Sequence, residues 1–425
     1  MINNASLQAV AAARINQHFI RPRYDAFGFA SLPQTLRRLL LDEPHEGVSF
    51  GSRHDLYDRY DTVILFFVDA FGWRFFQQWA DRHPFLERII REGVVTKLTS
   101  QFPSTTAAHV TTIHTGLPVG QSGMYEWFFY EPTLDTIIAP LLFSFAGDHE
   151  RDTLRRIGAS PTALYPQRTL YQEFAAGGVG SWVFQPLSYA HSPYSQTVTN
   201  GATMIAYRTL PEAITNLTHL LAHQRDRAYY FLYVDSIDTI CHWYGPQSPQ
   251  VAAEIGTFWD MLERVLYPAL ARTQNRTLLL LTADHGQTAL DPHTTIYLNH
   301  TLPELQPWIK TNRAGQPLVP AGSSRDLFLH IKDTYRDEAH AALQAHLAGK
   351  ADVRRVPDLV EQGFFGPLPV SATFSGRVGD LVVLPYANEA VWWYEQGRFD
   401  QPFRGQHGGL SSDEMETLLL VQPFG

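Results

Sequence analysis

The sequence predicts an α/β protein with a mostly parallel central sheet flanked by helices and carrying cap insertions. Three observations support this. Continuous apolar runs of strand length recur along the chain, longer amphipathic stretches separate them, and the strongest runs end in acidic or imidazole side chains. Strands buried on both faces of a parallel sheet read as unbroken apolar segments, and ligands of such sheets collect at the carboxyl ends of the strands.

The first run, TVILFFV (Thr62 to Val68), is followed at once by Asp69. YYFLYV (Tyr229 to Val234) precedes Asp235 and Asp238, and TLLLLTA (Thr277 to Ala283) precedes Asp284 and His285. A fourth run, in DLVVLP from Asp380, is expected in the same sheet. SPQVAAEIGTFWDMLERVLYPAL reads as a helix covering that sheet: Ser248 is its N-cap and Pro249 its first helical residue. Val251, Ile255, Phe258, Met261, Leu262 and Leu266 fall on one face of it. The stretches from about 117 to 223 and 299 to 404 hold most of the Pro-, Gly- and aromatic-rich segments. They are expected as cap insertions on a single domain spanning 1–425.

Composition narrows the function. The hydrophobic fraction of 44% and aromatic fraction of 13% are enough for a substantial core. A net charge of -9 with no Lys/Arg block argues against a nucleic-acid polymer as partner. Cys241 is the only cysteine, so an intramolecular disulfide and sulfur-rich metal sites are excluded together, and any metal must sit on His and carboxylate. No apolar run reaches the roughly 18 to 20 residues of a membrane span. The N-terminal MINNASLQAVAAARINQHF lacks a basic leader and is interrupted by Arg14 and Asn16, so a cytoplasmic location is expected.

The polar residues behind the runs carry the chemistry. Asp69 alone fits a turn or N-cap as well as a ligand. In DTICH, Asp238 and His242 are four residues apart, which on a helix puts them on one face, suited to sharing an ion or forming a surface contact. In TADHGQT, Gly286 lets the backbone turn so that Asp284 and His285 can both point at one site. His407 lies among three glycines in RGQHGGL, a setting for close backbone approach. In FPSTTAAHVTTIHTG, Thr105 or Thr106 opens a short helix, where a hydroxyl either caps the helix or meets a phosphate oxygen.

Taken together, FFVDAFG, the threonine segment, DTICHWYGP, TADHG and GQHGGL resemble, in order and rough spacing, the alkaline phosphatase superfamily. The likeness spans about residues 60 to 420 and is greatest to the type I phosphodiesterase and nucleotide pyrophosphatase branch. It implies an alkaline-phosphatase-like core, a small phosphate ester as substrate and two divalent metal ions. Zinc is the usual ion, with manganese or iron also allowed by oxygen and nitrogen donors. By this resemblance Asp238, His242 and His407 hold one ion. Asp69, Asp284, His285 and the Thr106 hydroxyl surround the other, with Thr106 the nucleophile and Asp235 a nearby capping or supporting group. Hydrolysis of a phosphoric diester through a phosphothreonine is the expected reaction.

The sequence departs from the branch at several points. His109 stands where the resemblance places an Asn donating to a phosphoryl oxygen, so it either takes that role or packs inside the helix. Cys241 replaces a glycine before His242, and Ser122 precedes Gly123 where a histidine is usual. Ala107 occupies the place of the arginine that grips a dianionic monoester, which favours a diester. Arg325 and Arg377 are the candidate anion contacts, with ion pairs or loop anchors as their other reading. The aromatic run MYEWFFYEP (Met124 to Pro132) is either a stacking wall or, on its periodicity, a cap strand. A monoesterase, a phosphonate hydrolase, a phosphomutase and a non-catalytic metal-binding relic are the alternatives. A sulfatase is disfavoured, because Cys241 is followed by His-Trp-Tyr.

Overall fold

The computed structural model describes residues 1–41, 46–51 and 59–425. Its centre is a seven-stranded sheet formed by β1 (Thr62–Val68), β2 (Val94–Thr99), β3 (Gly180–Pro186), β4 (Thr203–Tyr207), β5 (Ala228–Val234), β6 (Thr277–Thr282) and β7 (Glu416–Phe424). The order is β2-β7-β6-β1-β5-β3-β4, with β7 antiparallel to both its neighbours and the other pairings parallel. β1, β5 and β6 are buried at every residue. This is why their sequences lack alternation.

Successive side chains of these strands feed two cores. Val63, Leu65, Phe67, Phe231 and Leu280 join one face, where α1 (Thr106–Thr115) adds Ala108, Val110 and Ile113. Ile64, Phe66, Val68, Leu232 and Leu281 join the other, packed by Val251, Ile255 and Phe258 of α3 (Pro249–Met261). Ser248 caps α3 by accepting from the N–H of Val251 at 3.3 Å, and Pro249 is its first residue, as the sequence predicts. Between β5 and α3 lies α2 (Ser236–Tyr244), which carries Asp238 and His242. Among the described residues, no helix is long and apolar enough to cross a membrane.

Two expectations are corrected. The DLVVLP run does form a strand, Leu381–Pro385, but it is the middle strand of a separate antiparallel sheet, between Leu327–Leu329 and Ala351–Arg355. Its alternate residues face two clusters: Val382 and Leu384 pack on the main core, Leu381 and Val383 on a cluster around Leu298, Ile331 and Leu343. Burial on both faces makes it look like a strand of the main sheet. The first insertion is also shorter than expected, since β3 and β4 within 117–223 belong to the central sheet. The excursion there is a small antiparallel sheet of Phe129–Glu131, Thr136–Ala139 and Ser144–Phe145 with its adjoining turns. The MYEWFFYEP run divides accordingly: its last part is a strand, while Trp127 and Phe128 line a cavity.

Candidate active site

Strand register brings the first two acids together. β1 and β6 pair through Phe67 and Thr282, so Asp69 and Asp284, each two residues further on, emerge abreast at the carboxyl end of the sheet. The backbone N–H of Asp69 donates to Val234 O at 2.9 Å, which ties this end to β5 and so to α2. One helical turn places Asp238 and His242 side by side, with Nε2 of His242 3.2 Å from Asp238 Oδ2. His407 arrives from the loop before β7, its Nε2 3.8 Å from Asp238 Oδ1. Its ring stacks on that of His285 with centroids 3.7 Å apart.

Two donor groups result, each with its ligand atoms within 4.8 Å of one another: Asp238, His285 and His407, and Asp69, Asp284 and His285. His242 adjoins the first group through Asp238. All three imidazoles are fixed by carbonyls. Nδ1 of His242 donates to Gly405 O at 2.8 Å, that of His407 to Ser104 O at 3.0 Å, and that of His285 to Gly286 O at 3.1 Å. Each ring therefore presents Nε2 to the acids, the arrangement second-partner hydrogen bonds give to metal-ligating histidines.

The charge balance also fits a metal pair. Asp284 is fully buried, and its Oδ1 accepts from the N–H groups of Ala70 (3.1 Å) and His285 (2.9 Å). Its Oδ2 has no hydrogen-bond donor among the described residues. Burial pushes Asp284 up to about 7 and, with the charge of Asp284 added, lifts Asp69 well above the carboxylate range. Burial lowers His285 and takes His407 down to about 4. Asp238 moves the other way: burial raises it, but His242 and the other imidazoles outweigh that and hold it ionised. Bare, burial suppresses the charge of Asp69, Asp284, His285 and His407, while Asp238 and His242 support each other's; divalent cations would keep all the carboxylates ionised and all the imidazoles neutral.

Thr106 opens α1 at the edge of this cluster, with Thr105 as N-cap. Its Oγ1 is 3.2 Å from Asp69 Oδ2 and 3.3 Å from His285 Nε2. The hydroxyl thus joins the second donor group and, at a helix N-terminus, faces unsatisfied N–H groups. Thr106, together with Thr105, Asp238, His242 and His407, lines a cavity of about 650 Å³. Aromatic side chains form much of the remaining wall: Trp127, Phe128, Trp243, Trp392, Phe399 and Phe403. Among the described residues, the only Lys or Arg on the wall is Arg398, which is engaged with Glu395 at 2.7 Å and Ala146 O at 2.9 Å.

Three expected site residues lie elsewhere. His109 is fully buried in α1: its Nδ1 donates to Thr105 O at 2.7 Å, and its Nε2 accepts from the Gln101 N–H at 2.9 Å. Burial lowers it to about 3, so it is a neutral ring bracing the start of α1 and gives no donor to the cavity. Arg325 is buried against Glu414 (2.8 Å) and donates to the carbonyls of Pro385, Tyr386 and Glu389. Arg377 is buried against Glu131 (2.7 Å) and donates to the carbonyls of Gly123 and Leu164. Both guanidiniums anchor loops, and neither lines the cavity. Asp235 is the N-cap residue of α2 by position, yet its carboxylate makes no cap bond and instead accepts from Tyr189 OH at 2.8 Å.

Other residues at the site are not evident from the sequence motifs. Tyr233 donates its hydroxyl to Asp69, and the Gln287 side-chain amide donates to Asp238, orienting two of the acids. Tyr233 is the penultimate residue of its strand run, so its place next to Asp69 is implicit in strand pairing. Gln287 lies two residues beyond His285. Glu126, in the aromatic run, borders the cavity beside Thr105 and Thr106.

A mostly parallel sheet that gathers Asp/His donors and a threonine hydroxyl at its carboxyl end is an arrangement suited to metal-assisted hydrolysis. Residues 63–410 match the type I phosphodiesterase/nucleotide pyrophosphatase family, and the chain belongs to it. No curated protein matches by sequence. Murine ectonucleotide pyrophosphatase/phosphodiesterase 5 is similar in structure, with TM-score 0.63, 17% identity and coverage of 85% of this chain and 87% of that one. An inactive variant of that protein in complex with AMP matches at TM-score 0.64, with the same identity and coverage. Phosphonoacetate hydrolase from Sinorhizobium meliloti, in complex with phosphonoacetate, matches at TM-score 0.60 and 19% identity, over 84% of this chain and 89% of that one.

Proposed function

We propose that the chain hydrolyses phosphoric diesters through a phosphothreonine on Thr106, with two divalent ions, zinc by preference and manganese next. The observation that carries this reading is the Thr106 hydroxyl, held within 3.4 Å of Asp69 and His285 on the wall of an aromatic cavity. Asp238, His242 and His407 would hold one ion, and Asp69, Asp284 and His285 with Thr106 the other. Such ions supply Lewis-acid stabilisation of the charge that builds on phosphorus and its oxygens.

The protein's own groups set the course. Thr106 Oγ1 loses its proton and bonds to phosphorus as the bond to the leaving oxygen breaks, and the leaving alcohol or nucleotide takes up one proton, so the step is proton-neutral. Water then attacks the phosphothreonine, frees Thr106 and releases a phosphomonoester. Tyr233 and Gln287 keep Asp69 and Asp238 oriented through both steps. With Arg398 committed to Glu395 and Ala146, the wall offers little to a dianionic monoester or to the carboxylate of a phosphonoacetate-like substrate. The aromatic wall suits a nucleoside or aryl substituent on a monoanionic diester.

Metal analysis of the purified protein, run with parallel turnover of four substrates, tests this. Bis-p-nitrophenyl phosphate should exceed p-nitrophenyl phosphate, a phenylphosphonate ester and a sulfate ester by at least about tenfold in kcat/KM, or about 1.4 kcal/mol. About two ions per chain should be found. Faster turnover of the monoester or the phosphonate would overturn the diester assignment.

A further inference from the structure

The helix that carries Thr106 starts without a side-chain cap. Thr105, the N-cap residue of α1, makes no side-chain hydrogen bond to the first turn, whereas Ser248 caps α3 and Thr209 caps the helix Leu210–His223 in that way. A capping side chain would occupy the N–H groups beside the Thr106 hydroxyl. The turn is held from its carbonyl side instead. His109, one turn on, donates from Nδ1 to Thr105 O at 2.7 Å, while the bond from its own backbone N–H to the same oxygen is long, at 3.3 Å. The carbonyl that begins the helix thus rests chiefly on an imidazole.

That ring is itself tied to the ends of two strands. Thr105 O can only accept, so Nδ1 carries the proton and Nε2 is the acceptor, taking the Gln101 N–H at 2.9 Å. Ser100 Oγ lies 2.9 Å from the same nitrogen and donates to Asp284 O at 2.8 Å. Ser100 and Gln101 follow β2, and Asp284 follows β6. Phe29 closes on the ring edge-on at 4.6 Å between centroids. Burial alone does not make such a brace: His114, on the same helix and equally buried, bonds only to Tyr171 OH at 2.7 Å, and its Nε2 has no partner among the described residues.

We propose that His109 is a positioning residue for the nucleophile: its Nδ1–H holds the Thr105 carbonyl so that the Thr106 hydroxyl stays within reach of Asp69 and His285, while Nε2 anchors the ring to the end of β2. The inference rests on the Thr106 reading above. Thr105 O and the nitrogen of Thr106 belong to one planar peptide, so fixing that oxygen fixes the plane from which the Thr106 side chain projects. His109 lies outside the cavity and exchanges no proton with the substrate. Burial supports the assignment, since it lowers His109 to about 3 and keeps the ring in the neutral form that the two hydrogen bonds require.

Two substitutions separate the two contacts of the ring. The amide nitrogen of asparagine takes the place of Nδ1, so His109→Asn keeps the bond to Thr105 O and loses the one from Gln101. The amide of glutamine lies one atom further out, at the place of Nε2, so His109→Gln keeps the Gln101 bond and loses the Thr105 one. With bis-p-nitrophenyl phosphate at saturating metal, His109→Gln should lose about 10- to 100-fold in kcat, the scale of a displaced reacting group, with KM within about threefold. His109→Asn should stay within about threefold of wild type in kcat. Stability should run the other way: with the Gln101 N–H left unpaired in the interior, His109→Asn should unfold at lower urea than His109→Gln. Hydrogen exchange in the first turn of α1 should quicken in His109→Gln and stay near wild type in His109→Asn. A kcat that is equal in the two variants or lower in His109→Asn would overturn the proposal, because a ring that only filled the core would give that result. Faster exchange in His109→Asn than in His109→Gln would overturn it as well. If wild type hydrolysed no phosphoric ester, the Thr106 reading would fall, while exchange would still report whether His109 holds this turn.

Discussion

The sheet side of the cavity supplies charge and the cap side supplies aromatic surface, and the two are built differently. Asp69, Asp284 and His285 follow directly from paired strands, and Asp238 and His242 from the helix after β5. Their spacing is therefore set by backbone hydrogen bonds that no side chain can easily shift. Trp127, Phe128, Trp392, Phe399 and Phe403 come from turns and short strands that lie far apart in the chain. Binding residues on loops carried by a rigid scaffold can vary without disturbing the chemistry beneath them. Catalytic rate should thus reside on the sheet side, and discrimination among ester substituents on the cap side.

The most severe test of that division is Thr106→Ala. A residue that forms the covalent intermediate should cost on the order of 10⁴-fold or more in kcat when removed. The partly buried Thr106 side chain is small, so the metal content and thermal unfolding of the variant should stay close to wild type. Single-turnover assays with a radiolabelled diester should label the wild-type chain and leave the variant unlabelled. Turnover by Thr106→Ala near the wild-type rate would move the nucleophile elsewhere.

A second test concerns the joints between the two sides. Arg377 ties the Phe129–Glu131 strand to the Gly123 and Leu164 carbonyls, and Arg325 ties the Pro385–Glu389 turn to Glu414. Glu414 in turn accepts from the N–H groups of Gly409 (3.0 Å) and Ser411 (3.2 Å), just past His407. Removing one partner of such a buried pair costs about 3–5 kcal/mol, because the other charge is left stranded. Arg377→Met and Arg325→Met should both show that loss in urea unfolding. Only Arg325→Met should also release metal, because its joint holds the His407 loop. Equal metal retention in the two variants would break the link between that loop and the cap.

Much of the sheet side was legible in the sequence and little of the cap side was. β1, β5 and β6 announce themselves as unbroken apolar runs, and the acids behind them mark the site. β2, β3, β4 and β7 carry no acid behind an unbroken apolar run to mark them, and Leu381–Pro385 reads as one of the main strands although it pairs in the cap. Composition reports burial on both faces but not the partner strand, which is why that run misleads. Arg325 and Arg377 fail as anion contacts for a related reason: a buried arginine and a substrate-binding one look alike until the carboxylate from a distant segment is placed. His109 is turned away from the cavity by Thr105 O and the Gln101 N–H, neither of which is visible from helical spacing. Glu126 lies within the aromatic run, whose periodicity does not reveal where its carboxyl group is placed.

The smallest expected effect lies at the rim, where Trp243 is 53% exposed and packs edge-on against Phe403 at 5.3 Å between ring centroids. Trp243 sits on α2 directly after His242, so it belongs to the sheet side by sequence and to the aromatic wall by position. If rate and discrimination divide as argued, Trp243→Ala should leave kcat and metal content nearly unchanged. It should raise KM about three- to tenfold for an aryl or nucleoside diester, the loss of roughly one aromatic contact. For a dialkyl diester KM should stay within about twofold, because that substituent has no ring to stack, a difference well below one tenfold step in affinity. A fall in kcat instead would show that Trp243 braces His242, so that the boundary between the two sides runs through the cavity rather than along α2.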